Sequence, residues 1–123
     1  MFTVNPKFDL NDASNSELVS GHATAKGTQA YARRSQVVHP ACFKKVEMPD
    51  MNADEELTLS KMIYGTGTGP NFTQTDFFQY FVLKQMVLSG GINHIDTGHF
   101  VRGHRAELVV GKALRTLFNK FGL

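Results

Sequence analysis

The sequence predicts a parallel α/β fold, and three observations predict it. Beyond residue 54 the apolar pattern alternates in the order strand, helix, strand, helix. The first helical run stops at Ser89-Gly90-Gly91 and the second at Gly122, glycine being the residue that accepts left-handed angles at a helix C-terminus. Before residue 54 no period of 2 or 3.6 is visible, so regular structure is expected in the second part. The chain divides on this reading into an irregular N-terminal extension, residues 1–54, and a β/α segment, residues 55–123.

In the extension, Asn, Asp, Ser, Gly and Pro recur, as in Asn5-Pro6, Asn11-Asp12, Ser14-Asn15-Ser16, His39-Pro40 and Pro49-Asp50. These are turn signals. Short helical turns fit residues 15–19 and 28–34, and the remainder reads as extended or irregular. Such a segment cannot bury enough apolar area to offset its own ordering entropy. Its order has to come from what it packs against.

In the β/α segment, residues 57–64 (Leu-Thr-Leu-Ser-Lys-Met-Ile-Tyr) alternate and then turn apolar, as a strand does on entering a core. Gly65-Thr66-Gly67-Thr68-Gly69-Pro70 ends it in a glycine-rich loop. Thr73 and Asp76 stand close to capping-box spacing, ahead of a helix over residues 77–88. The expected core face of that helix is Phe78, Val82 and Met86, with Leu83 and Val87 beside them. Residues 92–97 (Ile-Asn-His-Ile-Asp-Thr) form a short strand with Asp96 near its C-terminal end. A second helix fits residues 105–120, with Leu108, Val109, Ala113, Leu114, Leu117 and Phe118 as its stripe. Glu107 in its first turn and Lys120 in its last suit the helix dipole. This order implies a right-handed βαβ unit. Parallel strands are normally buried on both faces and flanked by others, so two alone leave open edges.

The bulk numbers narrow the function. Hydrophobic residues make up 41% and charged residues 20%, which excludes a disordered or collagen-like chain. The net charge of +2 forms no basic stripe, Arg33-Arg34 and Lys44-Lys45 being the paired basics, so nucleic acid is not an expected partner. Cys42 is the single cysteine. It excludes an internal disulfide and any zinc site needing two cysteines of this chain, and it suggests a reducing compartment, the cytoplasm. Gln79, Lys84 and Gln85 interrupt the longest apolar stretch, so no membrane insertion is expected. Residues 1–10 contain Asp9 and no arginine, unlike a secretory signal or a transit peptide.

Three motifs bear on chemistry. The run from Gly65 to Gly69 lacks the P-loop lysine and the G-x-G-x-x-G pattern, and reads as a tight loop rather than a phosphate cradle. His94, His99 and His104 are spaced by five across a strand, a loop and a helix start. They need not converge, and no metal site is expected of them. Asp96 is more pointed, because the C-terminal strand ends of a β/α barrel face its active site.

Together these residues resemble the aldo-keto reductases, particularly the galactose-dehydrogenase-like branch. Residues 57–66 look like that family's first barrel strand, which ends in Gly-Thr, here Gly65-Thr66. Gly91-Ile92-Asn93-His94-Ile95-Asp96-Thr97 is similar to its Gly-Ile-Asn-x-Ile-Asp-Thr strand. Arg105-Ala106-Glu107 followed by Val110-Gly111-Lys112-Ala113-Leu114 is similar to its Ser-Glu-x-x-x-Gly-x-Ala-Leu helix. Gly27-Thr28-Gln29-Ala30-Tyr31-Ala32 resembles a Gly-Thr-x-x-Tyr segment upstream of the barrel in some members.

The resemblance implies a TIM barrel that reduces carbonyls with NADPH through an Asp, Tyr, Lys, His set. Asp96 matches the catalytic aspartate, and Gly65, Thr66 and Asp96 match positions that bind the cofactor. The tyrosine does not carry over. Aligning Asp96, Arg102 and Glu107 places Val101 there with Phe100 beside it, and no tyrosine follows Tyr80. A valine has no proton to give a developing alkoxide. The lysine, the histidine and the main NADPH phosphate site belong to later strands, and a complete barrel takes about 250 residues.

The expected fold is therefore α/β, a partial (β/α) TIM-type barrel of the first two βα units behind an irregular N-terminal extension. The expected function is that of a truncated, catalytically inactive relative of these oxidoreductases, a structural or interaction subunit of a larger assembly with no cofactor of its own. The alternative is the N-terminal portion of an NADPH-dependent aldo-keto reductase, whole or split, completed by further chain that would bring NADPH with it.

Overall fold

Two helices that bury one stripe each against the other form the centre of the molecule. They are α2 (Thr73–Leu88) and α3 (Arg105–Phe121). The computed structural model describes residues 8–10, 19–34, 38–49 and 55–123. Around the helix pair lie α1 (Ala25–Arg34), a 3-10 turn (Pro40–Cys42), β1 (Phe43–Glu47), β2 (Glu56–Ser60), β3 (Tyr64–Gly65) and β4 (Ile95–Asp96). The core joins Leu83 and Val87 of α2 to Val110, Ala113 and Leu117 of α3, with Tyr31, Tyr64, Tyr80, Ile95 and Leu114 packed against it. Each fully buried leucine here contributes roughly 1.5–3 kcal/mol.

The strands form two small sheets. β3 and β4 pair in parallel, Tyr64 opposite Ile95 and Gly65 opposite Asp96, and α2 connects them. β1 and β2 pair antiparallel, from Phe43 opposite Ser60 to Glu47 opposite Glu56. Among the described residues no closed barrel is formed.

The strand expected over residues 57–64 is thus two strands, separated at Lys61, Met62 and Ile63. The amide side chain of Asn93 explains the break. Its Oδ1 accepts from the Ser60 amide at 2.7 Å, and its Nδ2 donates to the Thr58 carbonyl at 3.0 Å. A side chain therefore takes the groups that a continued ladder with residues 92–94 would need, and strand pairing resumes only at Ile95. The Ser60 hydroxyl donates to the Met62 carbonyl at 2.7 Å and fixes the bend.

The segment before residue 54 contains more regular structure than its composition suggests. α1 begins three residues ahead of the expected turn over 28–34, and β1 is a full partner of β2. The reason β1 escapes detection is its pattern: Phe43 and Val46 are half-buried while Lys44, Lys45 and Glu47 are exposed, which is no period of two. Most of the turn expected over residues 15–19 lies outside the described residues.

α2 differs from expectation in its start and its buried face. Phe72 is the N-cap and provides no side-chain cap, so the Thr73–Asp76 capping box does not form, because Asp76 turns inward instead. The buried face is Asp76, Gln79, Leu83 and Val87, while Phe78 is 50% exposed. Apolar residues occur nearly all round this helix, so periodicity alone does not choose a face. α3 is amphipathic and agrees better: Val109, Ala113 and Leu117 are buried as expected, joined by Ala106 and Val110, with Phe118 outside.

Candidate functional site

The short parallel pair brings Gly65, Thr66 and Asp96, singled out in the sequence, together. Gly65 and Asp96 are register partners across β3 and β4. Thr66 follows, buried, and its amide and hydroxyl both donate to the Asp96 carbonyl, at 3.2 and 2.9 Å. Its hydroxyl thus locks the strand ends together. The Asp96 side chain is solvent-exposed. Val101 is half-buried and packs over bare backbone, its methyls within about 4 Å of where side chains on Gly67 and Gly98 would begin. Phe100 beside it is 90% exposed.

A second group, which apolar periodicity does not identify, centres on Asp76. Asp76 is fully buried in the first turn of α2 and receives two arginines. Nη2 of Arg102 donates to Oδ1 at 2.9 Å and also to the Pro70 carbonyl at 2.7 Å. Arg105 approaches Oδ2 with Nε at 2.8 Å and with Nη2. The Arg102 side chain is itself buried, and its Nε and Nη1 find no hydrogen-bond partner among the described residues. Removing either partner of such a pair strands a charge in a poorly solvating interior.

This clamp sets the loop before α3. Arg102, Gly103 and His104 all have positive φ, at 51°, 61° and 75°. Left-handed backbone costs about 1–2 kcal/mol for each residue with a Cβ, and the buried Arg102 contacts hold it in place. Tyr64 is nearby: burial raises its pKa, while the Arg102 charge pulls it back down.

The turn places His104 beside His99. Their rings lie 4.4 Å apart between centroids. Both face Glu107 in the first turn of α3: His104 Nε2 stands 3.1 Å from Oε2, and His99 Nδ1 stands 3.5 Å from the same oxygen. All three side chains are exposed. Two of the three evenly spaced histidines therefore converge. His94 stays outside this group, with Nδ1 buried and without a hydrogen-bond partner among the described residues.

A signal for Asp76 existed in the sequence. Asp76, Gln79, Leu83 and Val87 fall at spacings of three and four, which is one helix face, so two polar residues share the stripe that carries Leu83 and Val87. A polar pair on a core face asks for buried partners, and Gln79 has one in the Thr68 carbonyl at 2.6 Å. Nothing in the spacing alone announces the left-handed turn that brings His104 round. In comparisons with known proteins, no family model matches the chain, and no match was found among the curated proteins or the solved structures.

Proposed function

We propose that the chain is an interaction subunit of a larger protein assembly, a catalytically inactive relative of the aldo-keto reductases whose β3–β4 pair is extended by a strand from a partner polypeptide. The observation that carries this reading is that β3 and β4 form a parallel pair with no further strand beside it among the described residues. Parallel sheets are stable when flanked and covered, and an open edge is a template for another strand. Met62 and Ile63, immediately before β3, are 71% and 49% exposed and give the edge an apolar approach. Val101, at the position where the resembled family carries its proton donor, supports the loss of catalysis.

The partner on this reading is protein rather than nucleic acid or bilayer, in the cytoplasm as the lone Cys42 suggests. Among the described residues no helix is long and apolar enough to cross a membrane. The test is the native mass of the chain isolated gently from its own cells, with hydrogen exchange at Ile95 and Asp96. A stoichiometric assembly in which these amides exchange more slowly than in the purified chain is expected. A chain recovered only as a monomer overturns the proposal.

One observation favours the second reading. Gly65, Thr66 and Asp96 meet at the same end of the parallel pair, as a cofactor loop and a catalytic acid would in an NADPH-dependent aldo-keto reductase completed by further strands. On either reading the chain alone gives no fluorescence titration with NADPH. On the second, titration appears when the barrel-completing chain is added.

A further inference from the structure

We propose that His99, His104 and Glu107 form a binding site for a divalent transition-metal ion of the zinc type. The three side chains come from the loop after β4 and the first turn of α3, and one ligand atom from each lies within 4.8 Å of the other two. Ligand atoms on a tetrahedral zinc with bonds of about 2.0–2.1 Å stand roughly 3.3–3.4 Å apart. The two nitrogen-to-oxygen separations, 3.1 and 3.5 Å, bracket that value. The nitrogen-to-nitrogen edge lies within the same 4.8 Å, and both imidazoles are exposed to solvent.

The donor set selects the ion. Two imidazoles and one carboxylate suit zinc and its first-row neighbours, whereas magnesium and calcium take oxygen. Three protein ligands leave a fourth position for water, the pattern of an open site. Bound in this way, His99 presents its Nδ1 lone pair and His104 its Nε2 lone pair, so each neutral ring carries its proton on the other nitrogen.

The surroundings keep these ligands available. Arg105, two residues from Glu107, has its guanidinium on Asp76, and Glu107 faces the histidines instead. Arg102, anchored on Asp76 and the Pro70 carbonyl, imposes the left-handed run that ends at His104. A strained backbone held by a buried ion pair is the kind of outlier from which a functional role is inferred. Here its product is the meeting of three metal-ligating side chains. The proposal does not depend on the partner reading above.

The experiment is zinc titration by calorimetry on the full chain carrying no affinity-tag histidines, with cobalt absorption as a second readout. Saturable one-to-one binding is expected, with the visible bands of a tetrahedral cobalt ion. Losing one outer-sphere contact typically weakens metal binding about 10–100-fold, so losing a ligand should weaken it by at least about tenfold. His99→Ala, His104→Asn and Glu107→Gln test this. Asparagine tolerates the left-handed angles at residue 104, so that variant removes a ligand and spares the turn, and circular dichroism checks that the fold is kept. His22→Ala is expected to bind zinc like the unaltered chain. Absence of saturable binding, or equal affinity in the His99→Ala/His104→Asn double variant, overturns the site.

Discussion

The helical layer and the N-terminal layer differ in how much apolar burial holds them. α2 and α3 supply nine buried residues between them, seven of them apolar. α1 has no buried residue, and β1 has none either. β2 adds one buried apolar side chain, Leu57, and Tyr31 of α1 packs against the helical core; beside these stand a few directed polar contacts. Within the layer the Thr58 amide donates to Oγ1 of Thr28 at 3.0 Å; across to the rest, Asn93 serves both Thr58 and Ser60, and the Tyr31 hydroxyl reaches the Val87 and Ile92 carbonyls. Burial is cumulative and forgiving, whereas a hydrogen bond is worth about 0.5–1.5 kcal/mol net and depends on its geometry. The N-terminal layer should therefore open locally while the helices remain packed.

The largest effect should come from the one place where the helical layer also depends on polar contacts. Asp76→Ala leaves Arg102 buried without its counter-charge, and breaking a buried pair in this way costs about 3–5 kcal/mol. Replacing both partners with apolar residues of similar size, as in Asp76→Leu with Arg102→Met, should recover most of the loss. Denaturant melts of the single and double variants check this. A cost below about 1 kcal/mol for Asp76→Ala, the range of an exposed ion pair, would show that the clamp does not hold the helices.

Leu83→Ala should follow, at about 2–5 kcal/mol for a fully enclosed leucine. Its loss belongs to the helical layer, so protection in α2 and α3 should fall with global stability. If only the N-terminal layer responds, the division between the layers is wrong.

The two layers also differ in how far the sequence announces them. The glycine stops at Gly91 and Gly122 and the stripe of Val109, Ala113 and Leu117 are local signals, and the structure follows them. The parallel pairing of β3 with β4 follows from the alternation of strands and helices. β1 is silent, because its order comes from β2 and its side chains show no alternation. The break at Lys61 is silent too, because one asparagine thirty-three residues from Ser60 replaces a strand. At the candidate site, Gly65 and Asp96 were legible as strand ends, whereas the meeting of His99 with His104 depends on a buried arginine turning the chain. Periodicity records which residues are buried, and it carries no account of a hydrogen bond between distant residues.

Asn93→Ala sharpens that point. It removes an acceptor from the Ser60 amide and a donor to the Thr58 carbonyl, a loss of about 1–3 kcal/mol if those groups stay dry. Amides of β1 and β2 should exchange faster while those of Leu83 and Leu117 keep their protection. Uniform loss across the chain would mean that the two layers unfold as one.

The smallest effect is a dependence on pH. Tyr31 has its pKa pushed up to about 12 by burial, and its protonated hydroxyl reaches the Val87 and Ile92 carbonyls. A folded-state pKa above the unfolded value near 10 means that the unfolded chain releases its proton first as pH rises. The contribution of Tyr31 is fully present below pH ~10 and is lost as pH climbs from there through about 12. The side chain is half-exposed, so solvent screens part of this coupling. Tyr64 is raised by burial as well, which makes the informative quantity the difference between the unaltered chain and Tyr31→Phe. The phenylalanine variant should melt lower at neutral pH, having lost both bonds, and the gap should close through the alkaline window. A gap that persists unchanged at the alkaline end would mean that the ring holds α1 to the helices by packing alone.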